Sequence, residues 1–197
     1  MLESRYTPAD VVKARDRYVV LSGCSGGGKS ALLSEIASRG FRVFAESGRQ
    51  IIKEQKYIGG DAAPGPDIMK FVELTISRTM HHMIEAASTR VPVFFDRSIV
   101  DQVSGLEHLK IDVPAHLKRA VDMFRYNESV FIVPPWPEIF RNDCERTHSF
   151  DDARAQYATL LATYERLEYR LVFVPKAPVS ERADFVLLTL NAARPET

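Results

Sequence analysis

Five short apolar runs alternate along this chain with longer stretches in which apolar residues recur every three or four positions. The runs are Arg17–Leu21, Phe41–Ala45, Val93–Phe95, Val130–Val133 and Leu171–Val174. Runs this short, without polar alternation, predict strands buried on both faces, as in a parallel sheet. The stretches between them predict helices. Leu32, Leu33, Ile36 and Ala37 share one face over residues 31–39. Ile68, Val72, Ile76, Met80, Met83 and Ala87 form a stripe on a long helix from about Asp67 to Thr89. Pro114 suits a helix start before Leu117, Ala120, Val121 and Phe124. Ser149-Phe150-Asp151-Asp152 reads as a capping signal before Ala153, Tyr157, Leu160, Tyr164 and Leu167. Ser180 is placed to cap a final helix with Ala183, Val186, Leu187 and Leu190 inward. Residues 1–16 form a polar lead-in with one helical turn around Ala9–Ala14. The alternation predicts a three-layer α/β fold, a five-stranded parallel sheet with helices on both faces, joined by right-handed crossovers.

The junction of the first strand and first helix carries the strongest chemical signal. Gly23-Cys24-Ser25-Gly26-Gly27-Gly28-Lys29-Ser30 reads G-x-x-x-x-G-K-S, the phosphate-binding loop of nucleotide triphosphatases and kinases. Glycines let the backbone curl so that successive N–H groups converge on an anion. Gly23, Ser25, Gly26, Gly27, Gly28, Lys29, Ser30 and Ala31 are therefore the candidate nucleotide-binding residues. Lys29 can bridge the outer phosphates as a point charge, and the Ser30 hydroxyl suits Mg²⁺. The helix that starts here adds the positive end of its dipole. ATP and Mg²⁺ are the expected ligands.

Bulk composition narrows the function classes. The chain has 197 residues, 45% of them hydrophobic, enough for one packed domain. Its 26 basic and 26 acidic residues cancel, so no electrostatic footprint for nucleic acid or an anionic membrane is expected. Cys24 and Cys144 suggest neither a disulfide framework nor a zinc site, and Cys24 reads as an inert small residue inside the loop. His81 and His82 are adjacent on a helix and make a poor metal pair. The N-terminus lacks the apolar core of a signal peptide, and no run approaches transmembrane length, which together predict a cytoplasmic protein.

Further charged residues stand at strand ends. Asp96 closes the third apolar run, where a carboxylate can hold Mg²⁺ directly or through water. Glu46 closes the second, and Arg49 follows one turn later. Asp101 falls on the next helix, as an acceptor contact or as an exposed residue. Lys56–Pro66 and Pro134–His148 break the pattern and are candidate ligand-binding loops; the second holds Trp136, Arg141, Asp143 and Arg146.

The groups at 23–30, 46–49, 94–101, 134–146 and 174–187 together resemble an AAA-like family of small predicted ATPases built on a nucleotide-kinase-type P-loop fold. That resemblance implies the strand order 2-3-1-4-5. Asp96-Arg97-Ser98 is similar to the Asp-Arg or Glu-Arg signature of thymidylate and deoxynucleoside kinases, which implies that Arg97 positions the acceptor or its activating carboxylate. The same resemblance makes Glu46 the candidate general base, with Asp96 as the alternative. It also implies that residues 134–148 form a lid whose Arg141 and Arg146 reach the phosphates, Arg146 acting on transition-state charge. The expected function is a small-molecule kinase acting on a nucleoside- or nucleotide-like acceptor. A nucleotide-dependent switch with slow ATP or GTP hydrolysis is the alternative.

Overall fold

The computed structural model describes residues 6–139 and 150–191. Five strands form one parallel sheet: β1 (Tyr18–Gly23), β2 (Arg42–Phe44), β3 (Val93–Asp96), β4 (Ser129–Val133) and β5 (Arg170–Phe173). Their order is β2-β3-β1-β4-β5, as expected. Eight α-helices accompany them among the described residues: α1 (Asp10–Ala14), α2 (Lys29–Ser38), α3 (Ser47–Ile58), α4 (Ile68–Ala86), α5 (Ile99–His108), α6 (Ala115–Met123), α7 (Phe150–Arg166) and α8 (Val179–Thr189).

The lack of polar alternation in the strands has a direct cause. Successive residues of a strand point to opposite faces, and both faces here are covered. Tyr18, Val20, Val93, Phe95, Val130 and Ile132 face a core shared with α4, α5 and α7. Val19, Leu21, Phe94, Phe131 and Val133 face a smaller core with Leu32, Leu33 and Ile36 of α2 and Ala183 and Val186 of α8. Every residue of β1, β3 and β4 is buried. None of the helices in the described residues is long and apolar enough to cross a membrane.

Several element ends differ from the sequence expectation, each for a local reason. The long helix starts after Asp67, whose carboxylate accepts from the Lys70 N–H at 3.0 Å, and it ends at Ala86. Pro114 stands just outside α6 as its cap residue. The cap of α8 is Pro178, and Ser180 lies inside the helix without a side-chain capping bond. Ala37 is exposed, because α2 turns only Leu32, Leu33 and Ile36 to the sheet. Helix α3 is absent from the hydrophobic pattern because Ile51 is its one buried apolar side chain, and it takes in the first residues of the expected Lys56–Pro66 loop. The expected cap at Ser149 lies outside the described residues.

The β1–β4 contact is tightest at the sheet edge that carries the glycine loop. A Cβ added to Gly23 would lie 2.3 Å from the Val133 carbonyl oxygen, and Gly23 has φ +119°. Both backbone strain and overlap oppose a side chain there. Gly23→Ala is expected to cost about 3 kcal/mol or more, read as a lower urea midpoint with an unchanged m-value. A variant as stable as the parent would show that the two strands separate easily.

Candidate active site at the carboxyl edge of the sheet

The loop after β1 is built as its glycines require. Cys24 donates its N–H to the Val133 carbonyl at 3.0 Å, fixing the start of the loop to β4. Gly26 and Gly28 take φ of 75° and 81°, left-handed values that favour glycine. Gly28 is the cap residue of α2 and supplies no side-chain cap, so the N–H groups at the start of α2 lack intrahelical acceptors. Ser30 and Ala31 are exposed in this first turn. The Lys29 ammonium is buried and donates to the carbonyls of Cys24 at 2.9 Å and Gly23 at 3.3 Å. Burial, with the nearby Arg97 charge adding to it, pushes its pKa down to about 8.

Asp96 ends β3 directly beside Leu21 of β1. Its carboxyl is buried, and one oxygen, Oδ1, has no hydrogen-bond partner. Burial pushes its pKa up to about 6, against the pull of Lys29. Ser30 and Asp96 line one cavity of about 320 Å³. Ser30 and Asp96 thus offer a hydroxyl and a carboxyl group to one space, a donor pair that fits a hard cation such as Mg²⁺, which takes one or two protein ligands and completes its shell with water and phosphate oxygens. No group of three or more His, Cys, Asp and Glu able to hold a metal ion occurs among the described residues.

Arg97 adopts φ 67°, an uncommon conformation for a side chain of its size. Its N–H is held by the Leu21 carbonyl at 3.0 Å. Its guanidinium bridges Asp101 at 3.1 Å and Glu46 at 3.2 Å. Burial opposes its charge, and Glu46, Asp101 and Asp96 outweigh that and raise its pKa. Glu46 also accepts from Arg49 Nε at 3.0 Å.

Asp101 is neither exposed nor free for an acceptor. Its side chain is 2% exposed. Oδ1 accepts from Ser22 at 2.6 Å and from Arg97, while Oδ2 accepts from the Ser98 N–H and hydroxyl and from Tyr164 at 2.6 Å. Ser98 and Asp101 form a complete capping box at the start of α5. Ser-Ile-Val-Asp is that box in the sequence, and it was the signal available for Asp101. Nothing local in the sequence points to the partners Ser22 and Tyr164.

Of the expected site residues, Gly26, Gly28, Lys29, Ser30, Ala31, Glu46, Asp96 and Arg97 line the one cavity. Gly23, Ser25 and Gly27 shape the loop beside it. Arg141 and Arg146, with the lid from residue 140 onward, lie outside the described residues. Arg182 also lines the cavity; it lies within the 174–187 group that carries the family resemblance, and nothing in the sequence assigns it a role. Cys24 is a buried thiol, its pKa raised by burial. His82 stacks on Phe44 and His81 on Tyr6, and the two imidazoles are 6.3 Å apart.

The Asp96 environment makes stability depend on pH. The folded protein keeps its proton up to about pH 6, whereas the unfolded chain releases it near the ordinary value of about 3.9. Stability contributed by this group is therefore lost as pH rises through that window. Asp96→Asn is expected to melt about 2–8 °C above the parent at pH 7.5 without ligand, a gap that narrows toward pH 4. An equal difference at both pH values would assign the effect to packing.

Known proteins share this architecture. M. mycoides deoxyadenosine kinase with dCMP and dCDP superposes with a TM-score of 0.65 at 14% identity, covering 88% of this chain and 98% of that one. NadR protein in complex with NR gives 0.65 at 12% identity, over 92% of this chain and 54% of its own. Thymidylate kinase from Ehrlichia chaffeensis gives 0.60 at 16% identity, over 89% and 98%. These likenesses show a kinase-type P-loop fold. No curated protein sequence matches this one. A family model described as an AAA domain matches residues 18–182, from the first residue of β1 to Arg182 in α8, and the chain belongs to that family.

Proposed function

We propose that the protein is an ATP- and Mg²⁺-dependent kinase that transfers the γ-phosphoryl group to a hydroxyl or phosphate of a small nucleoside- or nucleotide-like acceptor. The observation that carries this reading is the presence of Glu46 and Arg97 in the same cavity as Lys29, Ser30 and Asp96. A carboxylate and a guanidinium in the same cavity as the glycine loop supply the groups that phosphoryl transfer needs beyond nucleotide binding. Deoxyadenosine kinase and thymidylate kinase, built on the same fold, support the acceptor class.

In this reading the loop N–H groups and Lys29 hold the phosphate chain, and Ser30 and Asp96 hold magnesium. Magnesium, when bound, offsets phosphate charge and orients the transferred group. The acceptor oxygen attacks the γ-phosphorus, the bond from phosphorus to the bridging oxygen breaks, and ADP keeps that electron pair. Glu46 accepts the proton of a hydroxyl acceptor. Arg49 and Arg97 pair with this carboxylate and hold its direction, and Arg97 stays within reach of the transferred charge. A second concavity of about 290 Å³ shares Ser30, Glu46, Arg49 and Asp96 with the first. Leu33, Ala37, Val43 and Ala45 wall it, which suits the non-reacting apolar part of an organic acceptor. The chain works as one nucleotide-binding unit, with residues 134–148 as its lid.

The test is a thermal-shift screen of nucleosides, nucleotides and vitamin precursors with a non-hydrolysable ATP analogue, followed by transfer assays. An acceptor that stabilises only with the analogue is expected. Glu46→Gln should then slow transfer by about 10²–10⁴-fold with nearly normal ATP affinity. Lys29→Ala should abolish productive ATP binding in a folded protein. Normal ATP binding with no acceptor across a broad screen, and slow hydrolysis indifferent to Glu46→Gln, would favour the switch instead.

A further inference from the structure

Arg182 is the one side chain of the cavity whose charge has no visible use. It sits in the first turns of α8 and is only 5% exposed. Its Nε is buried without a hydrogen-bond partner. The sole hydrogen bond of its side chain among the described residues is to the Gly28 carbonyl at 3.5 Å, the outer limit of such a contact. No carboxylate among the described residues pairs with it. Burial alone acts on its pKa and pushes it down. The guanidinium carbon lies over the Trp136 ring, 5.5 Å from its centroid, a contact that uses none of the N–H donors. Arg39, which also binds α8, shows the contrast. It is satisfied by Glu35, Asp184 and the Ser180 carbonyl.

Burying a guanidinium without a counter-ion is costly. An arginine that served only to join α8 to the loop would have its donors satisfied. This one faces the last glycine of the phosphate loop: a Cβ on Gly28 would lie 3.0 Å from Nη1 and 3.5 Å from Nη2. It shares the cavity with Lys29 and Ser30. Arg97 enters that cavity from the end of β3 and is already paired with Glu46 and Asp101. Arg182 enters from the helix after β5, with no carboxylate partner among the described residues.

We infer that Arg182 is a ligand of the phosphate chain of a bound nucleoside di- or triphosphate, reaching it from the β5 side of the loop with Trp136 as its support. The planar fork of donors matches phosphate oxygens. The missing counter-ion is the nucleotide's own charge. This inference rests on the nucleotide-binding part of the proposed function and is independent of the acceptor.

The experiment uses the full chain, with Arg182→Gln and Arg182→Lys beside the parent and Lys29→Ala as a control. Affinities for Mg·ATP and for inorganic tripolyphosphate are measured by calorimetry, and ligand-free melting temperatures are recorded. Arg182→Gln should weaken both ligands by about 10–100-fold, the range for hydrogen bonds to charged groups. It should leave the ligand-free melting temperature unchanged or raised, because it removes an unpaired buried charge. Arg182→Lys should recover part of the lost affinity. Affinities within about twofold of the parent, with a lowered melting temperature, would make Arg182 a structural strut and overturn the inference. Loss for ATP but not for tripolyphosphate would place the contact on the base or ribose, and overturns it equally. If Lys29→Ala loses ATP while Arg182→Gln does not, the inference fails alone and nucleotide binding stands. A parent that binds neither ligand overturns both.

Discussion

The Asp101 carboxylate is the fixed point on which the rest of the site depends. A buried charge is tolerated only when its lone pairs are filled, and this one is filled by four residues from three parts of the chain. Ser22 comes from β1, Arg97 from the turn after β3, Ser98 from the start of α5 and Tyr164 from α7. Burial, with the adjacent carboxylate, raises the Tyr164 pKa far above the phenol range, so it remains a donor. Through Asp101 the turn holds Arg97 at a positive φ, and through Arg97 it holds Glu46. Strain of that kind persists only where the surroundings over-determine it. Positions separated by up to 79 residues thus set the direction of a single carboxylate at the mouth of the loop.

Charge is distributed unevenly around the cavity. On the β2–β3 side, Arg49, Arg97, Glu46 and Asp101 form a closed ion-pair chain. Near β1, Lys29 leans on the carbonyls of its own loop, and Asp96 keeps an oxygen unpartnered. Toward β5, Arg182 has no counter-ion among the described residues. The first group pairs charge with charge. The second and third leave charges that an anion with a divalent cation would complete, which is the general form of a site prepared in advance for its ligand.

The parallel sheet explains why these groups converge at all. With every strand pointing the same way, the segments that leave β1, β2 and β3 emerge at one edge, and ligands gather there. β1 lies between β3 and β4, so the glycine loop is flanked by Asp96 on one side and by Val133 on the other. The close approach at Gly23 holds the loop down on β4.

Local chemistry was legible in the sequence wherever one segment contains the whole signal. Unbroken apolar runs reported strands covered on both faces for β1, β3 and β4, which lie between two helical layers, whereas the edge strands β2 and β5 are only partly buried. The glycine loop reported its anion nest, because the nest is made by backbone from eight consecutive residues, 23–30. Asp96 was readable as a strand-end carboxylate, while Glu46, expected to close the second strand, stands two residues beyond β2 as the cap residue of α3. What the tertiary structure alone decided are relations between distant segments. It buried Asp101 instead of exposing it, since Ser22 and Tyr164 reach it from 79 and 63 residues away. It brought Arg182 of α8 to Gly28, 154 residues earlier in the chain. A side chain's charge is written in the sequence, but whether that charge is paired depends on which other segments the fold packs against it.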